Sequence, residues 1–148
     1  MSAAKPESVG AKLDRVLRTT AYRVKAPLNL VLKVGAKCPS MDRHLSKRKG
    51  AGAAMISACN PLGKRLSDEE NHQRERALLA VVKTMGLEHW AALATPANGG
   101  PPEPSLLILP IELEAAKAIA KNFERFALVF HTKGGKSELI YTGLEPKR

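Results

Sequence analysis

A chain of 148 residues, 44% of them hydrophobic, suffices for one domain with its own core. Aromatics contribute only 4%, so Leu, Val, Ile and Ala must fill that core, and rings for stacking on bases are scarce. The net charge is +10, yet residues 1–50 hold twelve Lys and Arg against three Asp and Glu, while residues 51–148 hold twelve against eleven.

The first eighteen residues read as a basic arm. Residues 1–11 are small and polar, a flexible lead. Residues 12–19 place Leu13, Val16 and Leu17 on one face of a short helix. Such a helix resembles a mitochondrial presequence, but Glu7 and Asp14 run against the acid-poor character of those leaders. No continuous apolar stretch of a secretory signal is present. The domain is expected over residues 19–143, with a tail over 144–148.

Tyr22 and Val24, then Leu28, Leu30 and Leu32, alternate with polar or smaller residues, a strand pattern interrupted by Pro27. A basic linker or short helix follows. Lys47, Arg48 and Lys49 make a three-residue basic patch, a minimal nucleic-acid signal. Ala53 to Cys59 is short and apolar, as a buried strand requires. Ser67 then caps a helix, with Glu70 completing a capping box and three acids at its positive end. Its apolar line is Leu78, Val81, Val82 and Met85, and Gly86 stops it.

Leu87 to Thr95 fits a strand or a continued helix. The loop "PANGGPPEP" precedes a strand from Ser105, and a helix spans Glu112 to Phe123. Two strands then flank a Gly-Gly hairpin. This order predicts an α+β fold: a two-layer sandwich of two helices on a mixed or antiparallel sheet, with a ferredoxin-like βαββαβ portion.

The longest strongly apolar run, Leu106 to Ile111, is far short of the ~20 residues that span a bilayer, so no membrane partner is expected. Cys38 and Cys59 read as free thiols, which suits a reducing cytoplasm. The four histidines lack ligand spacing, so no metal site is predicted. No cofactor is expected either: "KGGK" at Lys133 to Lys136 lacks the spacing of a phosphate loop.

The candidate site comes from the capped helix. Helical spacing puts Asn71 and Arg74 on the line that becomes apolar at Leu78. Both then face the sheet edge beside Asn60. A buried guanidinium requires an anion, a carboxylate or a backbone carbonyl. Glu103, held extended between prolines, is either the partner of Arg74 or a general base. His131 follows a strand and could reach the same end. No nucleophile, base and orienting group stand together, so the set suits binding better than catalysis.

The pieces "TAYRV" (Thr20 to Val24), "AMISACNPLG" (Ala54 to Gly63), "LSDEENHQRERALL" (Leu66 to Leu79), "PPEPSLLILPI" (Pro101 to Ile111) and "AKAIAKNFERFALVF" (Ala116 to Phe130) resemble a bacterial family, domain of unknown function 3293. The resemblance covers roughly residues 19 to 142 and implies a small α/β protein with no established activity. It places the family pattern on Asn60, Pro61, Ser67, Asn71, Arg74, Glu103 and Ser105. This chain has "SACNP" where the family pattern is aromatic-rich "TAWNP", which alters the pocket wall.

The reading that emerges is a pocket for a small polar molecule or anion, lined by Asn60, Asn71, Arg74, Glu103 and Ser105. Nucleic-acid association through the basic first third is the alternative, with Lys47, Arg48 and Lys49 as its contacts. A structural or partner-binding protein without a ligand site is the third. Enzymatic activity and oligomeric state stay open at this level.

Overall fold

The computed structural model describes residues 6–50 and 52–147. Residues 1–5 of the expected lead, residue 51 of the linker and residue 148 of the tail lie outside the described residues.

Local signals set most boundaries. Helix α1 (Val9–Arg18) starts three residues ahead of its apolar pattern because Ser8 caps it, accepting from the Ala11 N–H at 3.1 Å. Strands β1 (Ala21–Val24) and β2 (Leu30–Leu32) flank the Pro27 break. The basic linker contains α2 (Pro39–Ser46), followed by β3 (Gly52–Ile56). Helix α3 (Asp68–Thr84) carries the expected reciprocal box between Ser67 and Glu70, and Gly86 follows its cap at φ +70°. Leu78 and Val82 are buried, but Met85 is 48% exposed, because the helix has ended by that residue.

The ambiguous stretch after Gly86 is a strand, β4 (Glu88–Thr95). Then come β5 (Glu103–Leu109), α4 (Leu113–Asn122), β6 (Ala127–Thr132) and β7 (Ser137–Tyr141). The order from β3 onward is the expected strand, helix, strand, strand, helix, strand, strand.

The seven strands form one sheet in the order β2-β1-β4-β5-β3-β6-β7, every neighbouring pair antiparallel. The fold is α+β, as expected. A plain two-layer sandwich does not describe it, because both faces of the sheet are covered. Alternation along β3 shows why. Ala54 and Ile56 join Ile108, Leu128 and Phe130 beneath α3 and α4. Ala53 and Met55 join Leu107, Leu109 and Val129 on the other face, where Met41 and Leu45 of α2 pack.

The sheet curls around this second core. Past β2 the chain runs against β7: Gly35 N–H donates to Ser137 O at 2.8 Å, and Ser137 N–H to Ala36 O at 2.9 Å. Asp42 fixes α2 inside the curl. One carboxylate oxygen accepts from His131 Nε2 at 2.7 Å and from the Gly134 N–H at 2.9 Å. His131 Nδ1 stands 2.9 Å from the Ser137 hydroxyl. A carboxylate only accepts, so Nε2 donates to Asp42 while Nδ1 shares a hydrogen bond with the Ser137 hydroxyl. Both His131 and Ser137 are fully buried, so this Ser–His–Asp chain meets no substrate and acts as a brace.

The opposite end of the curl is roofed by α1. Tyr22 donates its hydroxyl to Leu17 O at 3.2 Å, and Tyr141 donates to Asp14. A Cβ on Gly10 would stand 2.3 Å from the Lys147 carbonyl oxygen, so only glycine permits α1 to lie this close to the C-terminal chain. Among the described residues no helix is long and apolar enough to cross a membrane.

Candidate functional site

Beneath α1 the curl forms an open cavity of about 320 Å³. Leu13, Val16 and Leu17 of α1 form its roof, and Met55, Val129 and Leu139 form apolar wall. Its polar end is built where β3 and α4 stop: Ser57, Asn60, Glu103, Ser105, Glu124 and Arg125 line it.

Three loop residues there hold positive φ without being glycine: Asn60 at 50°, Leu62 at 51° and Glu124 at 57°. Each such residue costs on the order of 1–3 kcal/mol unless its surroundings hold it. The restraints are visible. Leu62 N–H donates to Glu124 O at 2.9 Å, tying the loop after β3 to the loop after α4. Asn60 is gripped by Asn71, whose side-chain oxygen accepts from the Asn60 N–H and whose amide donates to Asn60 Oδ1, both at 2.9 Å. Asn60 Oδ1 also accepts from the Leu66 N–H at 3.0 Å.

Arg74 meets backbone carbonyls. Its Nε donates to Ala58 O at 2.6 Å, a second nitrogen donates to Phe123 O, and a third lies 3.7 Å from Glu124. Phe123 caps the C-terminal end of α4, where a cation also meets the negative end of the helix dipole. Arg74 therefore joins β3 to α4 from outside the cavity. It does not pair with Glu103.

The partner of Glu103 is Arg125, at 2.7 Å. Arg125 also donates to the Cys59 carbonyl, and its Nε–H is buried with no hydrogen-bond partner. Sequence reading missed this residue. It lies 22 positions from Glu103, beyond any local spacing rule, and the only local hint is its place between a helix end and a strand. Ser105 donates to Glu103 O at 3.3 Å, and Ser57 to Pro104 O at 2.9 Å, so the two serines fasten β5 at the same wall.

A second hollow, of about 400 Å³, lies on the outer side and shares Asn60 and Glu103 with the cavity. Asn71, His72, Glu75, Arg65 and Cys59 line it. The Cys59 thiol donates to Glu75 at 3.3 Å. Burial first, and then the Glu75 carboxylate, push its pKa up to about 12, so it is a protonated thiol and a poor nucleophile at neutral pH.

The structure thus brings Asn60, Glu103 and Ser105 to the cavity, with Asn71 and Arg74 supporting its loops from outside. His131 sits at the far end of β6 from this wall, since it faces Ala53 near the start of β3. In the basic patch, Arg48 makes a bidentate pair with Glu88, while Lys47 and Lys49 are exposed. Among the described residues no cluster of three or more His, Cys, Asp or Glu could hold a metal ion.

Residues 56–128 match the model of a family described as a protein of unknown function, DUF3293. This stretch of the chain is a DUF3293 region. The DUF3293 match begins at the last residue of β3 and ends in β6, so it contains Asn60, Asn71, Arg74, Glu103, Ser105 and Arg125. It leaves out α1, β1, β2, α2 and β7, and with them the "TAYRV" piece. No curated protein and no solved structure matches the chain.

Proposed function

We propose that this protein binds a small molecule in the cavity beneath α1, with Asn60, Glu103, Ser105 and Arg125 forming the polar end of the site. Asn71 and Arg74 act as positioning residues that hold the two loops. The observation that carries this reading is the clustering of strain. Among the described residues four non-glycine residues have positive φ, and three of them, Asn60, Leu62 and Glu124, line this one cavity. Strained backbone gathered at one concave, mostly apolar site is the usual arrangement of a ligand pocket.

Binding is favoured over catalysis because burial and the Glu75 carboxylate hold the nearest thiol, Cys59, in its protonated form. The interleaved order β4-β5-β3-β6, with α3 and α4 on one face, supports reading the middle of the chain as a ferredoxin-like unit extended by β1, β2 and β7. Nucleic-acid association through the first third has less support, since Arg15, Arg18 and Arg48 each pair with an acid.

The test is an indole titration followed by amide NMR shifts. Saturable shifts gathered at Met55, Ala94, Val129, Leu139 and α1 are expected. Ala94→Phe, which places a ring inside the cavity, should weaken binding about tenfold or more. Shifts scattered over the surface, or a folded Ala94→Phe variant that binds as before, would overturn the reading.

A further inference from the structure

We infer that the α2 end of the curl, opposite the cavity, is a docking surface for the phosphate backbone of a nucleic-acid duplex. This surface is separate from the cavity. It is built from cations other than Arg15, Arg18 and Arg48, which pair with acids.

Contacts between distant parts of the chain assemble it. Lys37 and Lys136 are partners across an antiparallel bridge, which sets their Cα atoms about 5 Å apart. Like charges placed opposite each other repel, and an anion between them relieves that cost. Lys133 and Lys136 flank Gly134, whose N–H donates to Asp42 of α2 at 2.9 Å. Arg43 follows Asp42, and Lys47 lies four residues further, on the same side of the helix. Lys33 joins them through the turn in which its carbonyl accepts from the Ala36 N–H at 3.0 Å. All six cations are exposed, and among the described residues none of them forms a salt bridge. The acids on the same elements are Glu138 and Asp42, and Asp42 is already bonded to His131 and Gly134. Burial first, and then the charges of Arg48, Lys47 and Arg43, hold the His44 pKa below its ordinary value, a sign of how closely these cations crowd.

What the surface lacks selects the partner. Single strands are held by stacking bases on rings, and none of the aromatic residues of this chain is exposed. A bilayer contact gains from apolar side chains that insert. The exposed large hydrophobics, Val9, Leu62 and Met85, lie on α1, in the loop after β3 and at the end of α3, away from α2. Protein partners favour an apolar centre poor in lysine, whereas duplex interfaces are polar and strongly positive. The bond between Asp42 and the Gly134 N–H fixes α2 to the β6–β7 turn, so cations from both ends of the chain are held on one rigid surface.

Fluorescence anisotropy of a labelled duplex of about 20 base pairs, DNA in one arm and RNA in the other, tests the surface on the full chain. At least one duplex should bind with micromolar or tighter affinity at about 50 mM salt and weaken steeply by about 200 mM, and the tighter arm names the source. Lys47→Gln combined with Lys136→Gln should weaken binding at least about tenfold and reduce the slope of log K against log salt by about 2. Lys83→Gln combined with Lys121→Gln removes the same charge from α3 and α4 and should change binding by less than about twofold, because salt screens charges that far from the contact. Equal weakening by the two pairs would mean that net charge alone attracts the duplex, and would overturn the surface. A single strand of the same length binding as tightly as its duplex would overturn the class. So would binding to phosphatidylserine vesicles, or to nothing, with neither duplex bound.

Discussion

The two faces of the sheet are packed to different ends. On the convex face Ala54, Ala116 and Ala120 are fully buried, and these small side chains let α4 settle closely onto β3. On the concave face Leu32, Met41 and Leu45 are just as completely buried around α2, yet the α1 end keeps a cavity of about 320 Å³. A curled sheet encloses volume that large rings usually fill, and aromatics are only 4% of this chain. Tyr22 is a buried ring there, and its hydroxyl is engaged by α1. Burial raises that phenol's pKa to about 12, so it stays a neutral donor throughout the physiological range.

The largest expected effect sharpens this contrast. Ile108→Ala on the convex face should cost about 2–5 kcal/mol in urea unfolding, the range for truncating a close-packed aliphatic side chain. Leu139→Ala, beside the existing cavity, should cost less than the lower end of that range. Equal losses would mean that the two faces are packed alike.

Next is the brace within the concave face. Ser137→Ala removes the hydroxyl facing His131 Nδ1 and leaves that buried nitrogen without its partner, a loss of about 1–3 kcal/mol. The brace lies at the end of the curl opposite the cavity, so unfolding should respond to this substitution while indole binding stays unchanged.

The smallest effect is one of slope. Desolvation raises the Asp42 pKa, but the Gly134 N–H and the His131 bond and charge outweigh it, and the carboxyl lies below its ordinary 3.8. A lowered carboxylate pKa stabilises the fold above the unfolded value and loses that contribution as pH falls through the folded one. Urea midpoints between about pH 2 and 5 should therefore fall less steeply in Asp42→Asn than in the parent chain. Identical slopes would remove Asp42 from the acid response.

What was legible in the sequence was local. The Ser67–Glu70 box and the Gly86 stop are decided by neighbours a few residues away, and the structure has both. The partner classes for Arg74 were legible too, and it takes backbone carbonyls. The long-range choices were not. Glu103 was expected to be the partner of Arg74 or a general base, and only the curl of the sheet brings Arg125 to it instead. His131 and Asp42 lie 89 residues apart, and their meeting depends on α2 entering the curl. The second covered face follows from that same event, so a count of helices and strands understated the layers.

The tie between residues 34–37 and β7 has one more consequence. An open sheet ends in two rows of unpaired backbone groups, which another copy of the chain can extend into an aggregate. Here β2 is only three residues long, and Gly35 and Ala36 occupy the backbone of Ser137 at the start of β7. Replacing Gly35 by proline would remove the N–H that reaches Ser137 and lengthen the exposed edge. The bond that curls the sheet is therefore also a guard against self-association.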